Sequence, residues 1–341
     1  MCYNEVSFYF MGGMNMSNDS HARKKWLVSI IVTILIGILS LFGINIYEYI
    51  PNEDGGQQQT QGTETFTEND ILNLTMVDVG QADGFVFMQD GKTAVIDCGT
   101  RSTGKDLVEY LKQSNVTKLD YVVGTHPHDD HMGGMYDVIT NFEVGEVIIP
   151  KVTKNSITTN WYLKLMNELK TGGYTVTYPN VGDEFTLGKA KMKVIAPFEE
   201  PESNLNNYSI VMMVSLGEMD VLMTGDMEKD VEKQILAKNS NIDAEILKLG
   251  HHGSDTSSCV EFLEAVNPQY ALCSSKVGNK YEHPIKSTMD NLKQRKIPVY
   301  RTDESGTVLV KITPKNVEFS CKPGDYLSGV ELEEKMNANS N

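Results

Sequence analysis

The chain has 341 residues, of which 40% are apolar and 22% are charged, a composition that indicates a globular protein and excludes a largely disordered one. Its formal net charge of −16 at pH 7 excludes a general electrostatic attraction to polyanions, so binding of a phosphate polymer would depend on metal ions and local basic groups. The five cysteines include no Cys-x-x-Cys pair, which argues against a disulfide framework and against a structural zinc site.

The N-terminal residues predict a membrane anchor. Residues 1–25 are polar and end in the basic run Arg23-Lys24-Lys25, and residues 26–47 contain no charged side chain. A helix of about 20 apolar residues spans a bilayer, and the basic run places residues 1–25 in the cytoplasm. A cleaved signal peptide is the alternative, but the apolar run is longer than a signal core and no clear cleavage site follows it. We therefore predict one transmembrane helix at 26–47 and a flexible polar linker at 48–70.

Alternating apolar and amphipathic stretches predict an α/β domain at residues 71–322, followed by a loose polar tail at 323–341. Strands are predicted at 72–79, 85–88, 93–96, 120–125, 145–149, 191–196, 208–216, 219–224, 244–249 and 270–275, with a strand pair near 298–312. Helices are predicted at 104–113, 133–142, 157–170, 228–238, 257–266 and 285–295. Two strand-rich blocks that each contain helices indicate two sheets packed face to face with the helices outside.

Residues 125–134 contain a cluster of metal-binding residue types. Three of the seven histidines of the chain and two aspartates lie within positions 126–131. The cluster follows an apolar strand-like run and precedes a Gly-Gly pair, so it occupies a strand end, where side chains converge on a cleft. Imidazole and carboxylate groups are ligands that zinc, manganese and iron accept. One strand end does not complete a site, so other parts of the chain must contribute further ligands.

Four other strand-like runs end in polar residues flanked by glycine or by further polar residues. These ends contain Asp97, Asn207 with Ser209, Asp226, and the pair His251-His252. Taken singly, each has a structural explanation, since an aspartate after a strand is usually part of a turn or a helix cap. Their joint occurrence in this order is what indicates a common site.

In this order the motifs resemble those of the metallo-β-lactamase fold, whose His-x-His-x-Asp-His signature matches residues 126–131. More narrowly, residues 76–83, 280–284 and 300–306 are similar to the extracytoplasmic metallo-hydrolase domain of the ComEC family of DNA-uptake proteins. The resemblance covers about residues 71–312 and implies a four-layer αββα sandwich. It does not extend to the many transmembrane helices of the uptake proteins.

The resemblance implies a site for two divalent metal ions, zinc or manganese. His126 and His128 would bind the first ion, while Asp130 and His131 would bind the second. Asp226 would bridge the two ions. These assignments are carried over from the family to the matching positions of this sequence.

One histidine of the 251–252 pair would complete the second metal site in this family. We expect His251, because it follows the predicted strand directly, with His252 as the alternative. Asp97 would orient a ligand histidine through a hydrogen bond.

The sequence departs from many relatives in the ligands of the first metal. Those relatives supply a further histidine before the bridging aspartate, but no histidine occurs between His131 and His251 here. Asn207 or Ser209 would stand at that position, as a metal or substrate ligand. The first metal site therefore has fewer strong protein ligands than the second.

Further residues are predicted to contact substrate. Asp130 and His283 are expected to take part in catalysis, and His283 and Lys280 are candidates for contacting a phosphate or protonating a leaving group. Ser254 and Asp83 are additional candidates for the cleft. An ordinary loop or a hydrogen-bonded scaffold is the alternative explanation for each of them.

We therefore expect a membrane-anchored, extracytoplasmic, metal-dependent hydrolase that uses a hydroxide shared by two metal ions. The first hypothesis is a phosphodiesterase or nuclease that acts on DNA or another phosphodiester. The second is a hydrolase of a cell-envelope phosphodiester, or of another ester or a lactone. The third is a non-enzymatic metal-containing scaffold, which the intact ligand cluster disfavours. The sequence predicts attachment to the membrane through one helix and no protein partner.

Overall fold

The computed structural model describes residues 65–154, 157–201, 203–238 and 240–339. The transmembrane helix predicted for residues 26–47, and most of the predicted linker, lie outside the described residues. Among the helices that are described, none is long and apolar enough to cross a bilayer.

The described residues form fifteen strands in two sheets. In chain order the strands are β1 (Leu72–Met76), β2 (Gly84–Gln89), β3 (Lys92–Cys98), β4 (Lys118–Val123), β5 (Glu143–Ile148), β6 (Val176–Thr177), β7 (Glu184–Leu187), β8 (Ala190–Ala196), β9 (Val211–Leu216), β10 (Met219–Met223), β11 (Ile246–Lys248), β12 (Tyr270–Cys273), β13 (Val299–Arg301), β14 (Val308–Ile312) and β15 (Val317–Phe319). The first sheet has the order β15-β14-β1-β2-β3-β4-β5-β6, and the second has the order β13-β12-β11-β10-β9-β8-β7.

Helices lie between the strands in chain order. They are α1 (Gly104–Gln113), α2 (Asp129–Met132), α3 (Met135–Asn141), α4 (Asn160–Thr171), α5 (Lys229–Ala237), α6 (Val260–Val266), α7 (Lys286–Arg295), α8 (Thr302–Ser305) and α9 (Gly329–Asn339). The six predicted helices are confirmed as α1 and α3 to α7, and α1 begins and ends at the predicted residues. Helix α2 is one turn long and lies inside the histidine cluster.

Buried apolar side chains form three clusters, which separate four layers of secondary structure. The first cluster lies between the two sheets and includes Leu72, Leu74 and Met76 of β1. The second packs α5, α6 and α7 on the outer face of the second sheet. The third packs α1, α3 and α4 on the outer face of the first sheet. This arrangement agrees with the predicted αββα sandwich.

The alternation of residues along the strands explains why the sheets pack in this way. In β1, Leu72, Leu74 and Met76 are fully buried between the sheets, because successive side chains of a strand point to opposite faces. In β10, Val221 faces the other sheet while Leu222 faces the helices. Each of these side chains contributes about 1.5–3 kcal/mol through burial.

Parallel pairing brings the polar strand ends to one edge. Strand β3 pairs in parallel with β4 in the first sheet, and β10, β11 and β12 are parallel in the second. The carboxyl ends of parallel strands meet at the same edge of a sheet, where ligand sites form. The segments that follow these strands contain the residues predicted to bind metal.

The C-terminal tail differs from the prediction of a loose segment. Gly329–Asn339 forms helix α9. Ser328 caps it, because its hydroxyl accepts from the Glu331 N–H at 3.2 Å and the Glu331 carboxylate accepts from the Ser328 N–H at 2.9 Å. This reciprocal capping box stabilises a helix start, and Leu332 is buried beneath it. The Ser-x-x-Glu spacing was the sequence signal for this helix.

Candidate metal centre

The histidine cluster lies in the loop after β4 and in α2. His126 is fully buried, and its Nε2 lies 3.1 Å from Nδ1 of His128. Helix α2 begins at Asp129, which places Asp130 and His131 on its single turn. Asp129 forms an ion pair with Arg101 at 2.8 Å.

Asp97 orients one of these histidines from the neighbouring strand. It lies near the end of β3 with a left-handed backbone, φ 61°. Its Oδ2 accepts from Nδ1 of His131 at 2.7 Å and from the Thr125 hydroxyl at 2.8 Å, and its Oδ1 accepts from the Thr125 N–H at 2.8 Å. Since a carboxylate accepts the Nδ1 proton, the lone pair of His131 Nε2 is directed towards the cleft.

Asp226 lies at the centre of the site, immediately after β10. Its Oδ1 lies 3.2 Å from His131 Nε2 and 3.7 Å from His252 Nε2. Its Oδ2 lies 3.8 Å from His126 Nε2 and 3.7 Å from His251 Nε2. The two carboxylate oxygens therefore face two different sets of imidazoles.

The pair His251-His252 has an unusual backbone conformation after β11. Both residues are left-handed, with φ of 49° and 53°, a conformation that costs non-glycine residues energy and that occurs at functional sites. His252 is buried and its Nδ1 donates to the Ser274 carbonyl oxygen at 3.0 Å, which leaves Nε2 free to bind a cation. The expectation that His251 completes the second metal site is therefore corrected, since His252 occupies that position.

Four residues fit a divalent metal ion. Ligand atoms of Asp130, His131, Asp226 and His252 lie within 4.8 Å of one another. Seven buried side-chain polar atoms of the described residues have no hydrogen-bond partner, and three of the seven belong to this group: His131 Nε2, Asp226 Oδ1 and His252 Nε2. Buried polar atoms are rarely left unpaired, and a cation bound between them would satisfy all three.

The ionisable side chains of this site shift one another's pKa values. Burial raises the pKa of Asp226, but His131 and His252 outweigh it and hold that pKa well below its usual range. Burial lowers the pKa of His252, but Asp226 and Asp83 raise it to about 9. Burial and the charge of His131 hold the pKa of His126 well below its usual value. A metal ion must therefore displace a proton from His252 but not from His126.

A buried lysine lies behind the site. Lys248 ends β11 and is fully buried, with its Nζ 2.7 Å from Asp83 Oδ2 and 3.9 Å from Asp226 Oδ1. Asp83 also accepts a hydrogen bond from the Ser274 hydroxyl and lies 3.3 Å from His252 Nδ1. Asp83 is only 1% exposed, so the expectation that it contacts substrate is corrected. Its contacts with Lys248, Ser274 and His252 hold the buried side of the metal-binding residues in place.

Asp130, Asp226 and His252 form the floor of an open cleft of about 330 Å³, and His131 is fully buried behind them. The residues that line it are His128, Asp129, Asp130, Asn206, Asp226, His251, His252, Tyr281 and His283. The cleft combines a buried cluster of ligands with an open rim, an arrangement that admits a substrate next to bound metal ions.

The family of the chain follows from a comparison with family models. The model of the metallo-beta-lactamase superfamily matches residues 77–275, which is more than half of the chain. The chain belongs to the metallo-β-lactamase superfamily. The resemblance that the order of the motifs predicts is confirmed.

Relatives of this superfamily member include proteins of the ComEC family. ComE operon protein 3 of Bacillus subtilis is 27% identical over 73% of this chain and 34% of its own length. Competence protein ComA of Neisseria gonorrhoeae is 29% identical over 72% of this chain and 33% of its own length. This chain therefore spans about a third of the length of these relatives.

The solved structures to which the chain is similar have a lower sequence identity with it than these relatives do. The diiron β-hydroxylase CmlA from Streptomyces venezuelae is 16% identical, with a TM-score of 0.48 over 73% of this chain and 55% of CmlA. The metallo-β-lactamase fold protein YhfI from Bacillus subtilis is 12% identical, with a TM-score of 0.47 over 73% of this chain and all of YhfI (100%).

The residues predicted to contact substrate lie in different places relative to the cleft. His283 lines the cleft, and its ring centroid lies 5.3 Å from that of His251. Lys280 does not line the cleft; its Nζ lies 4.7 Å from the ring centroid of Tyr281. Ser254 is buried, outside the cleft lining, and its hydroxyl bonds to that of Thr256 at 3.1 Å. The substrate assignment of Ser254 is corrected on this ground, and that of Lys280, whose exposed side chain lies next to Tyr281 of the cleft lining, stays a prediction.

The residues expected to replace the missing histidine do not line the cleft. The Asn207 side-chain oxygen accepts from the Glu228 N–H at 3.0 Å. The Ser209 hydroxyl accepts from the Asp226 N–H at 3.0 Å and lies 3.4 Å from His126 Nδ1. Both residues hold neighbouring groups in place, so the proposal that either is a direct ligand is corrected.

Three residues of the site are not predicted from the sequence. Asn206 lines the cleft in place of Asn207, Tyr281 forms part of its rim, and Lys248 neutralises the buried aspartates behind it. Only Lys248 had a signal in the sequence, because a lysine within a buried apolar strand requires a charged partner.

Proposed function

We propose that this chain is a metal-dependent phosphodiesterase. The observation that supports the proposal most strongly is the open cleft lined by Asp130, Asp226 and His252, whose ligand atoms lie within 4.8 Å of one another and of that of the buried His131. Such a site accommodates a phosphodiester beside bound cations. The relative named as a competence protein supports DNA as the first substrate to test.

The residues present would hold two divalent ions, zinc or manganese. Asp130, His131, Asp226 and His252 would hold one ion, and His126 and His128, whose ring nitrogens lie 3.1 Å apart, would contribute to holding the other. Bound divalent ions lower the pKa of a nucleophilic water and neutralise charge that develops on phosphoryl oxygens. Asp97 and Asp83 would hold the imidazoles in place for this chemistry.

His283 is the group in the cleft that is best placed to contact the leaving oxygen. It is largely buried and its Nδ1 has no hydrogen-bond partner among the described residues. Burial, followed by the charges of His252 and His251, lowers the pKa of His283 to about 4. His283 is therefore neutral at pH 7 and would act by donating a hydrogen bond to the substrate.

We further propose that the enzyme is anchored in the cytoplasmic membrane with its catalytic domain outside. The uncharged run at residues 26–47, preceded by Arg23-Lys24-Lys25, supports a single span with the N-terminus inside. The polar linker would separate the domain from the bilayer surface.

A cell-envelope phosphodiester is the second candidate substrate. The net charge of −16 opposes the multiple phosphate contacts through which proteins bind DNA tightly. A polymer presented at high local concentration near the membrane would not require such contacts. The two candidates differ in substrate and share the same site and chemistry.

The test uses the full-length chain, purified in detergent, stripped of metal and reloaded with Mn²⁺ or Zn²⁺. Cleavage is measured on linear DNA, bis-p-nitrophenyl phosphate, a glycerol-phosphate polymer and a β-lactam. We expect metal-dependent cleavage of phosphodiesters and none of the lactam. The preferred natural substrate is the one with the higher kcat/KM of DNA and the polymer.

Asp226→Asn should reduce this cleavage to background, because the amide replaces one of the two carboxylate oxygens, which face different imidazoles, and removes the negative charge. Asp220→Asn is a matched control, since Asp220 lies at the other end of β10 and does not line the cleft. Absence of phosphodiester cleavage in the metal-loaded chain, or equal activity in Asp226→Asn, would contradict the proposed function.

A further inference from the structure

Tyr281 presents an aromatic ring at the rim of the cleft. Nine large apolar or aromatic side chains of the described residues are exposed, and Tyr281, with 49% exposure, is the one of these nine that lines the cleft. Single exposed apolar side chains are common on protein surfaces, so the informative feature is the position of this ring beside the metal-binding residues. A substrate that enters the cleft meets the ring.

The loop that contains Tyr281 is held in place by the side chain of Asn279. The Asn279 Oδ1 accepts from the N–H groups of Tyr281 and His283, each at 3.1 Å. Its Nδ2 donates to the carbonyl oxygens of Lys276, at 2.8 Å, and of His283, at 2.6 Å. The backbone on both sides of the ring is therefore ordered before a ligand binds, which reduces the entropy that binding costs.

Tyr281 stacks on a ring that in turn stacks on a metal-binding residue. The ring centroids of Tyr281 and His283 lie 5.7 Å apart, with the planes inclined by 25°. Those of His283 and His252 lie 6.5 Å apart, with the planes inclined by 26°. Both separations are typical of offset-stacked rings. One imidazole therefore connects the exposed tyrosine to the metal-binding residues.

This intermediate imidazole has an unsatisfied ring nitrogen. His283 is 7% exposed, and its Nδ1 has no hydrogen-bond partner among the described residues. Buried polar atoms are rarely left unpaired, so we expect a polar group of the substrate to complete the hydrogen bonding of His283. Because His283 and Tyr281 stack, the adjoining part of the same substrate then lies beside Tyr281.

Lys280 adds a positive charge to the same surface. Its side chain is exposed, and its Nζ lies 4.7 Å from the ring centroid of Tyr281. An aromatic ring beside a cation is suited to a nucleotide, because a base stacks on the ring while the cation attracts the phosphate backbone. A glycerol-phosphate polymer has the phosphates but no planar group for the ring.

We propose that Tyr281 is a subsite that stacks a nucleobase of the substrate next to the phosphodiester at the metal-binding residues. The proposal rests on the proposed phosphodiesterase function and specifies its substrate class, a nucleic acid with accessible base faces. Stacking of this kind tolerates any sequence, because every base has a π-face. The bases of an intact duplex cover one another, so the subsite favours single strands and unpaired ends.

The kinetic test compares oligothymidylate with an abasic oligonucleotide of the same length and backbone, on the metal-loaded full-length chain. We expect Tyr281→Leu to raise the KM for oligothymidylate at least about 5-fold with little change in kcat, and Tyr281→Phe, which keeps the ring, to restore the affinity. The wild type should show a similarly raised KM for the abasic strand, which Tyr281→Leu should not raise further. Tyr178→Leu is the matched control, since Tyr178 is 46% exposed and does not line the cleft.

A binding measurement tests the subsite without cleavage. A thymidylate strand that contains 2-aminopurine at alternate positions is titrated with the metal-stripped full-length chain, because stacking on an aromatic ring quenches the fluorescence of this base. We expect quenching by the wild type, Tyr281→Phe and Tyr178→Leu, and a loss of most of it in Tyr281→Leu.

Three results would overturn the proposal: equal KM values of the wild type for the two strands, a wild-type KM in Tyr281→Leu, or equal quenching by Tyr281→Leu and the wild type. Failure of the proposed function has a different signature. In that case neither strand is cleaved by the metal-loaded wild type, while quenching still depends on Tyr281.

Discussion

Asp226 determines how the site is divided. Its two oxygens face different imidazoles, with His131 nearest to Oδ1 at 3.2 Å and His251 nearest to Oδ2 at 3.7 Å. The carboxylate is buried, and its pKa is held well below the usual range by the neighbouring histidines despite burial. A carboxylate that is ionised and shared between two ligand sets is suited to bridge two cations.

Asp97→Asn should weaken metal binding about 10- to 100-fold. The Asp97 carboxylate accepts the Nδ1 proton of His131 at 2.7 Å, and an amide group at this position would orient and polarise that ring less well. The dissociation constant for Zn²⁺, measured with a competing chelator, tests this expectation.

Asp120→Asn is the matched control for Asp97→Asn. Asp120 also accepts from the backbone of a neighbouring strand, at 2.9 Å from the Thr93 N–H, but it does not line the cleft. Its substitution should leave the affinity unchanged. Equal affinities of the Asp97 variant and the wild type would show that Asp97 does not support the ligand.

Strand β11 combines two tasks within three residues. Ile246 and Leu247 pack on opposite faces of the second sheet, and Lys248 extends beneath the metal-binding residues. A fully buried lysine is costly unless it is paired, and its Nζ is 2.7 Å from Asp83 and donates to the Gly225 carbonyl at 3.1 Å. The strand therefore depends on an aspartate that precedes β2 in the other sheet.

Lys248→Met should lower the free energy of unfolding of the metal-stripped protein by about 3–5 kcal/mol, because Asp83 would remain buried without its partner. Urea unfolding measures the change. Combining it with Asp83→Asn should recover much of the loss, since the unpaired charge is removed.

Lys193→Met provides the comparison for an exposed ion pair. Lys193 lies 3.7 Å from Glu184 and is half exposed, so its substitution should cost less than about 1 kcal/mol. A Lys248 variant as stable as the Lys193 variant would show that the buried pair contributes little.

The sequence predicts the elements that depend on periodic patterns and misses those that depend on tertiary contacts. Strand β10 and helix α1 follow from alternating and amphipathic residues, because burial of one face determines them. The two-residue strand β6 has no such pattern. The choice between His251 and His252 depends on the left-handed backbone of both residues, which their tertiary surroundings determine.

At the scale of the whole molecule, two sheets bring ligands from distant parts of the chain to one edge. Asp97 and His131 come from the first sheet, while Asp226 and His252 come from the second. The site therefore exists only when both sheets are packed together, and metal binding should stabilise the whole domain.

The stability of the metal-stripped chain should depend on pH. The charges of Asp226 and Asp83 outweigh burial and raise the pKa of His252 to about 9, above the value of about 6.5 in an unfolded chain. The folded state holds this proton more tightly, so the contribution is fully present below about pH 6.5 and is lost as the pH rises through about 9. Asp226 and Asp97 likewise outweigh burial and raise the pKa of His131, so His131 changes the stability with pH in the same direction.

Thermal unfolding of the stripped protein should therefore show a falling midpoint between about pH 6.5 and 9. Saturating Zn²⁺ should reverse this trend, because metal binding replaces the protons and strengthens as the pH rises. His252→Asn should flatten the profile of the stripped protein. A midpoint that rises with pH in the stripped wild type would contradict the pKa of His252.

The central claim is that the cleft hydrolyses phosphodiesters with metal ions held around Asp226. The most direct measurement is the rate of bis-p-nitrophenyl phosphate hydrolysis as Mn²⁺ or Zn²⁺ is returned to the stripped full-length chain in measured equivalents. We predict no hydrolysis by the stripped chain, activity that reaches its maximum at two equivalents, and none at any equivalent in Asp226→Asn. Hydrolysis by the stripped chain, or its absence in the chain with two bound ions, would contradict the claim.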